Sequence, residues 1–183
     1  MGSRAVPYDA ELIAYNLVSE KGRIIVKKNN MLIAVVFMVG AITQSARAQS
    51  LVSFSGGIGD ITTGSANTTV RGVAAAGQIW VIRDLIADVK QDGSIRVDGR
   101  GLLLGAGDGV GSNGNASVFA TLFCANDGNV QHSSNLTGVQ LEVNGDFRIN
   151  DKLSPAPPNT CASPVLLIRV TGNGAWFAAG IPR

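Results

Sequence analysis

Two cysteines, one histidine and a scatter of acids are the residues of this sequence best placed to do chemistry. Cys124 and Cys161 are the only cysteines. One pair in a chain bound for an oxidising compartment reads as a disulfide. Closing a loop of that length stabilises by ~4 kcal/mol, by restricting the unfolded chain. The competing readings are two free thiols, or a metal site that enlists His132. Three ligands without a recognisable spacing make a poor zinc signature. The sequence implies no metal and no cofactor.

His132 is the only histidine, and Ser133 and Ser134 follow it. Adjacent residues of a strand point to opposite faces, so His132 could share a site with Ser134 but not with Ser133. Asp127 would have to complete a triad, and no Gly-x-Ser-x-Gly elbow is present. An extracellular hydrolase using His132 is therefore an alternative. The preferred reading is a solvated strand histidine, no catalytic residue and no enzyme.

The glycine-rich run Gly105–Asn115 lacks the Lys-Ser/Thr pair of a phosphate-binding loop, and no helix follows it. Asp108, Asn113 and Asn115 offer oxygens, which makes the run a candidate ligand loop, for calcium among others. One acid without alternating-acid spacing is a thin donor set, and a flexible loop is the simpler reading. Trp80 and Trp176 could stack on sugars, with Trp176 the candidate platform of a carbohydrate-binding module. In a chain with only 5% aromatic residues they read first as core.

These residues need elements to hold them, and the elements read as strands. No helix of convincing length follows residue 49. Gln78–Lys90 fits both helical and strand periods; its β-branched content and the following Asp92-Gly93 turn favour a strand, broken by Arg83. Thr68–Val73, Ser94–Leu104, Val130–Ser134, Val165–Val170 and Ala175–Ala179 read as further strands. Ser117–Cys124 is apolar on both faces and should be central and buried.

Val139, Leu141 and Val143 alternate with polar residues, as do Phe147 and Ile149. A two-residue Asn144-Gly145 hairpin would place Val143 opposite Asp146. A three-residue turn over Asn144-Gly145-Asp146 with a bulge aligns the apolar faces instead, unless the chain crosses between sheets. Eight or nine short strands imply an all-β fold: a two-sheet sandwich, or alternatively a closed β-barrel. Leu153–Pro164 holds four of the six prolines and should be a rigid loop.

The N-terminal part has a different character. Met31–Ile42 is an uncharged apolar run, too short for the ~20 residues of a membrane span. Lys27 and Lys28 precede it, and Ala46-Arg47-Ala48 follows with small residues at the −3 and −1 positions of a cleavage site. In order, these are the parts of an export signal cut between Ala48 and Gln49; the competing reading is a buried core helix. Residues 26–48 form the signal and residues 49–183 the secreted domain. Residues 1–25 exceed ordinary signal length, and read as a gene-model extension ahead of a start at Val26, or as a long n-region.

Residues 1–48 carry six basic residues against three acids, whereas nine basic and ten acidic residues are scattered over the rest. No basic patch with interleaved aromatics remains, so nucleic acid is not an expected partner. The product is expected free in the periplasm or outside the cell, without a membrane span.

Several segments carry a likeness: Gly77-Gln-Ile-Trp-Val-Ile, Val97-Asp-Gly-Arg-Gly-Leu-Leu-Leu, Val118-Phe-Ala-Thr-Leu-Phe-Cys, Gly145-Asp-Phe-Arg-Ile and Ala175-Trp-Phe-Ala-Ala-Gly-Ile-Pro. Through them, Val70–Pro182 resembles a group of small exported bacterial proteins of unknown function. The resemblance implies export and a paired-cysteine β domain, and it carries no catalytic residue over. The sequence therefore points to an exported, disulfide-stapled β protein with a binding or structural role in the envelope or extracellular space.

Overall fold

The structure, a computed structural model, describes residues 26–28, 31–33, 48–61 and 69–183. The chain divides into two compact units, Met1–Ser45 and Ala46–Arg183. In the first, β1 (Val26–Lys28) pairs antiparallel with β2 (Met31–Ile33). Most of the apolar run expected to form the signal core lies outside the described residues.

The second unit is all-β, as expected; its helical content among the described residues is one 3-10 turn, Ala125–Asp127. Its strands are β3 (Ser50–Gly59), β4 (Thr69–Val70), β5 (Val73–Ala74), β6 (Trp80–Val81), β7 (Asp84–Lys90), β8 (Ser94–Arg100), β9 (Leu103–Leu104), β10 (Ser117–Phe123), β11 (His132–Ser133), β12 (Val139–Gln140), β13 (Phe147–Lys152), β14 (Val165–Val170) and β15 (Trp176–Pro182). One antiparallel sheet runs β11-β10-β14-β15-β3-β7-β8-β13, with β12 also on β10. Its two ends meet where Ser133 bridges Ser154, just beyond β13. The sheet is thus nearly closed, as in the barrel alternative, and full pairing leaves few strand edges open. Among the described residues, no helix is long and apolar enough to cross a membrane.

Alternation builds the interior. In β7, Leu85, Ala87 and Val89 point inward between exposed or half-buried neighbours, and Ile95 and Val97 do the same in β8. β13 aligns Ile149 opposite Val97 and Phe147 opposite Gly99. Phe147 fills the space above Gly99, where a Cβ would lie 2.1 Å from the ring.

β10 and β14 are buried on both faces, because a second apolar cluster covers their outer side. Val73 of the β4–β5 hairpin packs there with Phe123, Leu167 and Trp176. The central placement expected of Ser117–Cys124 follows from this double cover.

Some boundaries differ from the sequence reading. The expected strand Thr68–Val73 turns back at Arg71-Gly72, both at positive φ, so Val70 pairs Val73. Gln78–Lys90 is two strands, split at Ile82-Arg83. Ser94–Leu104 is also two, split where Gly101 takes φ +63.

The turn after β12 has three residues, one position earlier than expected: Val143, Asn144 and Gly145. The Glu142 amide donates to the Asp146 carbonyl, and Gly145 sits at φ +79. Val143 is consequently 89% exposed. The two arms then pair with different strands, β12 with β10 and β13 with β8.

Candidate functional site

The 3-10 turn after β10 gathers most of the reactive side chains. Cys124 directly follows β10, fully buried, and its sulfur is bonded to that of Cys161 across a Cα–Cα distance of 4.9 Å. The expected disulfide is present. The turn then brings Asp127 back towards β11. Asp127 Oδ1 accepts from the Val130 amide at 3.2 Å, which fixes the carboxylate. Its Oδ2 lies 2.5 Å from His132 Nε2.

His132 is not the solvated strand histidine expected. Its side chain is 4% exposed, because the Pro-rich loop folds over it. Its Nδ1 lies 2.9 Å from the Pro155 carbonyl oxygen. That oxygen can only accept, so Nδ1 carries a hydrogen, and the short contact of Nε2 with the Asp127 carboxylate needs a second hydrogen between them. The Asp127–His132 pairing of a triad is therefore formed, but among the described residues no hydroxyl bonds either ring nitrogen. A hydrolase histidine needs one ring nitrogen free to take a proton from a hydroxyl; here the second nitrogen faces a backbone carbonyl.

The neighbouring hydroxyls bond other groups. Ser134 Oγ accepts from the Ala120 amide, and Ser133 Oγ shares a hydrogen bond with Thr121. Thr121 also accepts from Arg169, whose guanidinium donates to Gly174 O and Gln131 Oε1 and lies 5.1 Å over the Phe119 ring. Burial pushes the Arg169 guanidinium down from its usual value.

The other candidates are dispersed. In the glycine-rich run, Asn113 Oδ1 accepts from the Asn115 amide, and Asn115 Oδ1 accepts from Gln140. Asn113 Nδ2 donates to the Leu141 and Glu142 carbonyls, which ties the run to the body. Each of these amide oxygens already accepts one bond, and the run is fastened rather than free. Trp176 is 5% exposed in the outer apolar cluster, so it offers no open ring face to a sugar. Trp80 is stacked on Phe177, with centroids 3.8 Å apart, beneath a shallow apolar groove of about 410 Å³ rimmed by Gln78 and Asn173.

One charged constellation was not anticipated. Asp98, on β8, takes bonds from Arg100 at 2.6 Å and from Arg148 of β13 at 2.8 Å. Asp146 bonds Arg100 at 3.2 Å and accepts from the Gly101 amide, with Arg83 at 3.7 Å. The register that sets Arg148 opposite Asp98 creates the network. It lines a groove of about 380 Å³.

The bond from Arg100, with that from Arg148, holds the Asp98 carboxyl below its ordinary value against the effect of burial. For Asp146, burial pushes upward, but the Gly101 amide and Arg100 outweigh it, and the net shift is downward. Depressed carboxyls contribute stability above their ordinary pKa that is lost as pH falls through the depressed folded value. The urea midpoint should therefore drop on acidification below the ordinary carboxylate range. Asp98→Asn with Asp146→Asn should flatten that limb and leave the remaining pH profile unchanged.

Comparison with known proteins gives no matching family, no matching curated protein and no matching solved structure.

Proposed function

We propose that this is an exported bacterial protein whose disulfide-stapled β domain acts by binding, or as a structural component, in the cell envelope or extracellular space. The observation that carries this reading is the Cys124–Cys161 disulfide, since such bonds persist in oxidising compartments. The proposed cleavage point between Ala48 and Gln49 lies immediately before β3, so removal of the leader would leave every strand of the sheet intact. The resemblance of Val70–Pro182 to small exported bacterial proteins supports the same destination.

The role is read as binding or structural because the pairing among the described residues that resembles a catalytic one, His132 with Asp127, is closed. His132 is held between a carboxylate and a carbonyl, with no hydroxyl of the described residues at either ring nitrogen. A sugar-binding role through Trp176 loses its support with the burial of that ring. Binding would fall to the surface grooves.

Purified protein is expected to show no turnover of ester, peptide or glycoside substrates. Hydrolysis that disappears in a folded His132→Ala variant would replace this reading with the hydrolase.

A further inference from the structure

The side chains around the disulfide form a donor set of a recognisable kind. Cys124, Asp127 and His132 each offer one ligand atom, these atoms lie within 4.8 Å of one another, and Cys161 Sγ is bonded to that of Cys124. Two thiolates, an imidazole and a carboxylate are the donors of a four-coordinate zinc site. While the disulfide is intact, neither sulfur is a thiolate and the set is incomplete.

Two features go beyond proximity. The first is the outer hydrogen bonding. Histidines that bind metals through one ring nitrogen usually donate the other N–H to a carboxylate or backbone carbonyl, which fixes the tautomer. The bond from His132 Nδ1 to the Pro155 carbonyl does this already, so Nε2, which bonds Asp127 Oδ2 while the disulfide is intact, is the nitrogen that would turn to a metal. The Val130 amide holds Asp127 Oδ1 in the same way and leaves Oδ2 directed at the site.

The second feature is that the loop carrying Cys161 is fastened without the disulfide. Asn126 Nδ2 donates to Thr160 O at 2.8 Å, the Ala162 amide donates to Asn126 Oδ1 at 2.9 Å, and the Ala125 amide donates to Ala162 O at 2.7 Å. These three bonds flank Cys161 on both sides. Reduction would leave the two sulfurs adjacent.

We propose that Cys124, Cys161, His132 and Asp127 form a redox-gated site for zinc or a similar borderline-soft divalent cation: closed as the disulfide, open when reduced. A dithiol reductant supplies the electrons. Its thiolate attacks one sulfur of the disulfide to give a mixed disulfide, and its second thiol completes the exchange. The reductant leaves as a cyclic disulfide, and the protein keeps two thiols. The cation then binds both sulfurs with loss of the two thiol protons, and the proton between His132 Nε2 and Asp127 Oδ2 leaves to solvent as both atoms turn from each other to the metal.

The test is titration of the full chain with cobalt(II) under anaerobic conditions, before and after reduction by a phosphine. Circular dichroism checks that the fold persists. The reduced protein should take up one cobalt, with a thiolate-to-cobalt charge-transfer band and the strong visible bands of tetrahedral coordination; zinc should displace it. The oxidised protein should show neither band. His132→Ala and Asp127→Asn should each weaken cobalt affinity at least about tenfold. Unfolding of the chain on reduction, absence of the tetrahedral bands, or affinity unchanged in both variants would overturn the proposal. The last outcome would mean that two thiols alone hold the metal.

Discussion

Replacing both cysteines with alanine should lower unfolding stability by ~4 kcal/mol, within the range seen when a native disulfide is removed from a small domain. The separation of 37 residues between Cys124 and Cys161 sets the entropic part. The loop so closed contains β11, β12 and β13, and with them the segment through which the two ends of the sheet meet. The staple therefore restricts the strands whose pairing completes the sheet.

Urea denaturation of the double variant against the parent measures the effect. The midpoint should fall with little change in the native circular dichroism spectrum, since hydrogen bonds from Asn126 and Ala125 still hold the Cys161 loop. Loss of less than ~1 kcal/mol, well under the typical range, would mean that the loop is already ordered in the unfolded chain or that the staple is strained.

Phe54→Ala should cost ~3–5 kcal/mol, the usual range for deleting a buried aromatic ring. Phe54 is fully buried on β3, the strand that joins β15 to β7. It lies opposite Ala87 and Pro182 in the ladder. Gly180 packs against it so closely that a Cβ there would sit 3.1 Å from the ring. Small neighbours on both sides cannot expand into the space the ring leaves, so the cavity should persist. Thermal or urea unfolding measures the loss. A Phe54→Leu variant should recover a good part of it, because it refills most of the volume without the ring.

The strand Phe54 anchors is the one element of the sheet that sequence reasoning missed. Ser50–Gly59 alternates Leu51, Ser53 and Ser55 with Val52 and Phe54, then runs into Gly56-Gly57. Small and flexible residues imitate a loop. They are present because β3 lies between two strands, with the Phe54 ring on one side and Ile82 and Leu85 against Gly57. Only the tertiary structure supplies that reason. By contrast, β10 and β14 are legible almost to the residue, because burial on both faces leaves runs that are apolar except for Ser117, Thr121 and Arg169.

The site divides in the same way. The disulfide followed from cysteine count and destination, which are properties of composition. The His132–Asp127 contact depends on a single 3-10 turn, and the Asp98–Arg148 pair on the register of two strands distant in sequence. Neither has a local signature. His132 was misread as solvated because nothing nearby in the sequence shows that Pro155 folds over it. Trp176 was open to two readings until the β4–β5 hairpin was found to cover it.

The central claim, an exported β domain closed by one disulfide, is tested most directly by the intact mass of the protein recovered from the extracytoplasmic fraction of its native host. The account predicts a single species running from Gln49 to Arg183, lighter than its reduced form by the two thiol hydrogens of Cys124 and Cys161. A species retaining residues 26–48, or one whose mass does not change on reduction, would contradict it.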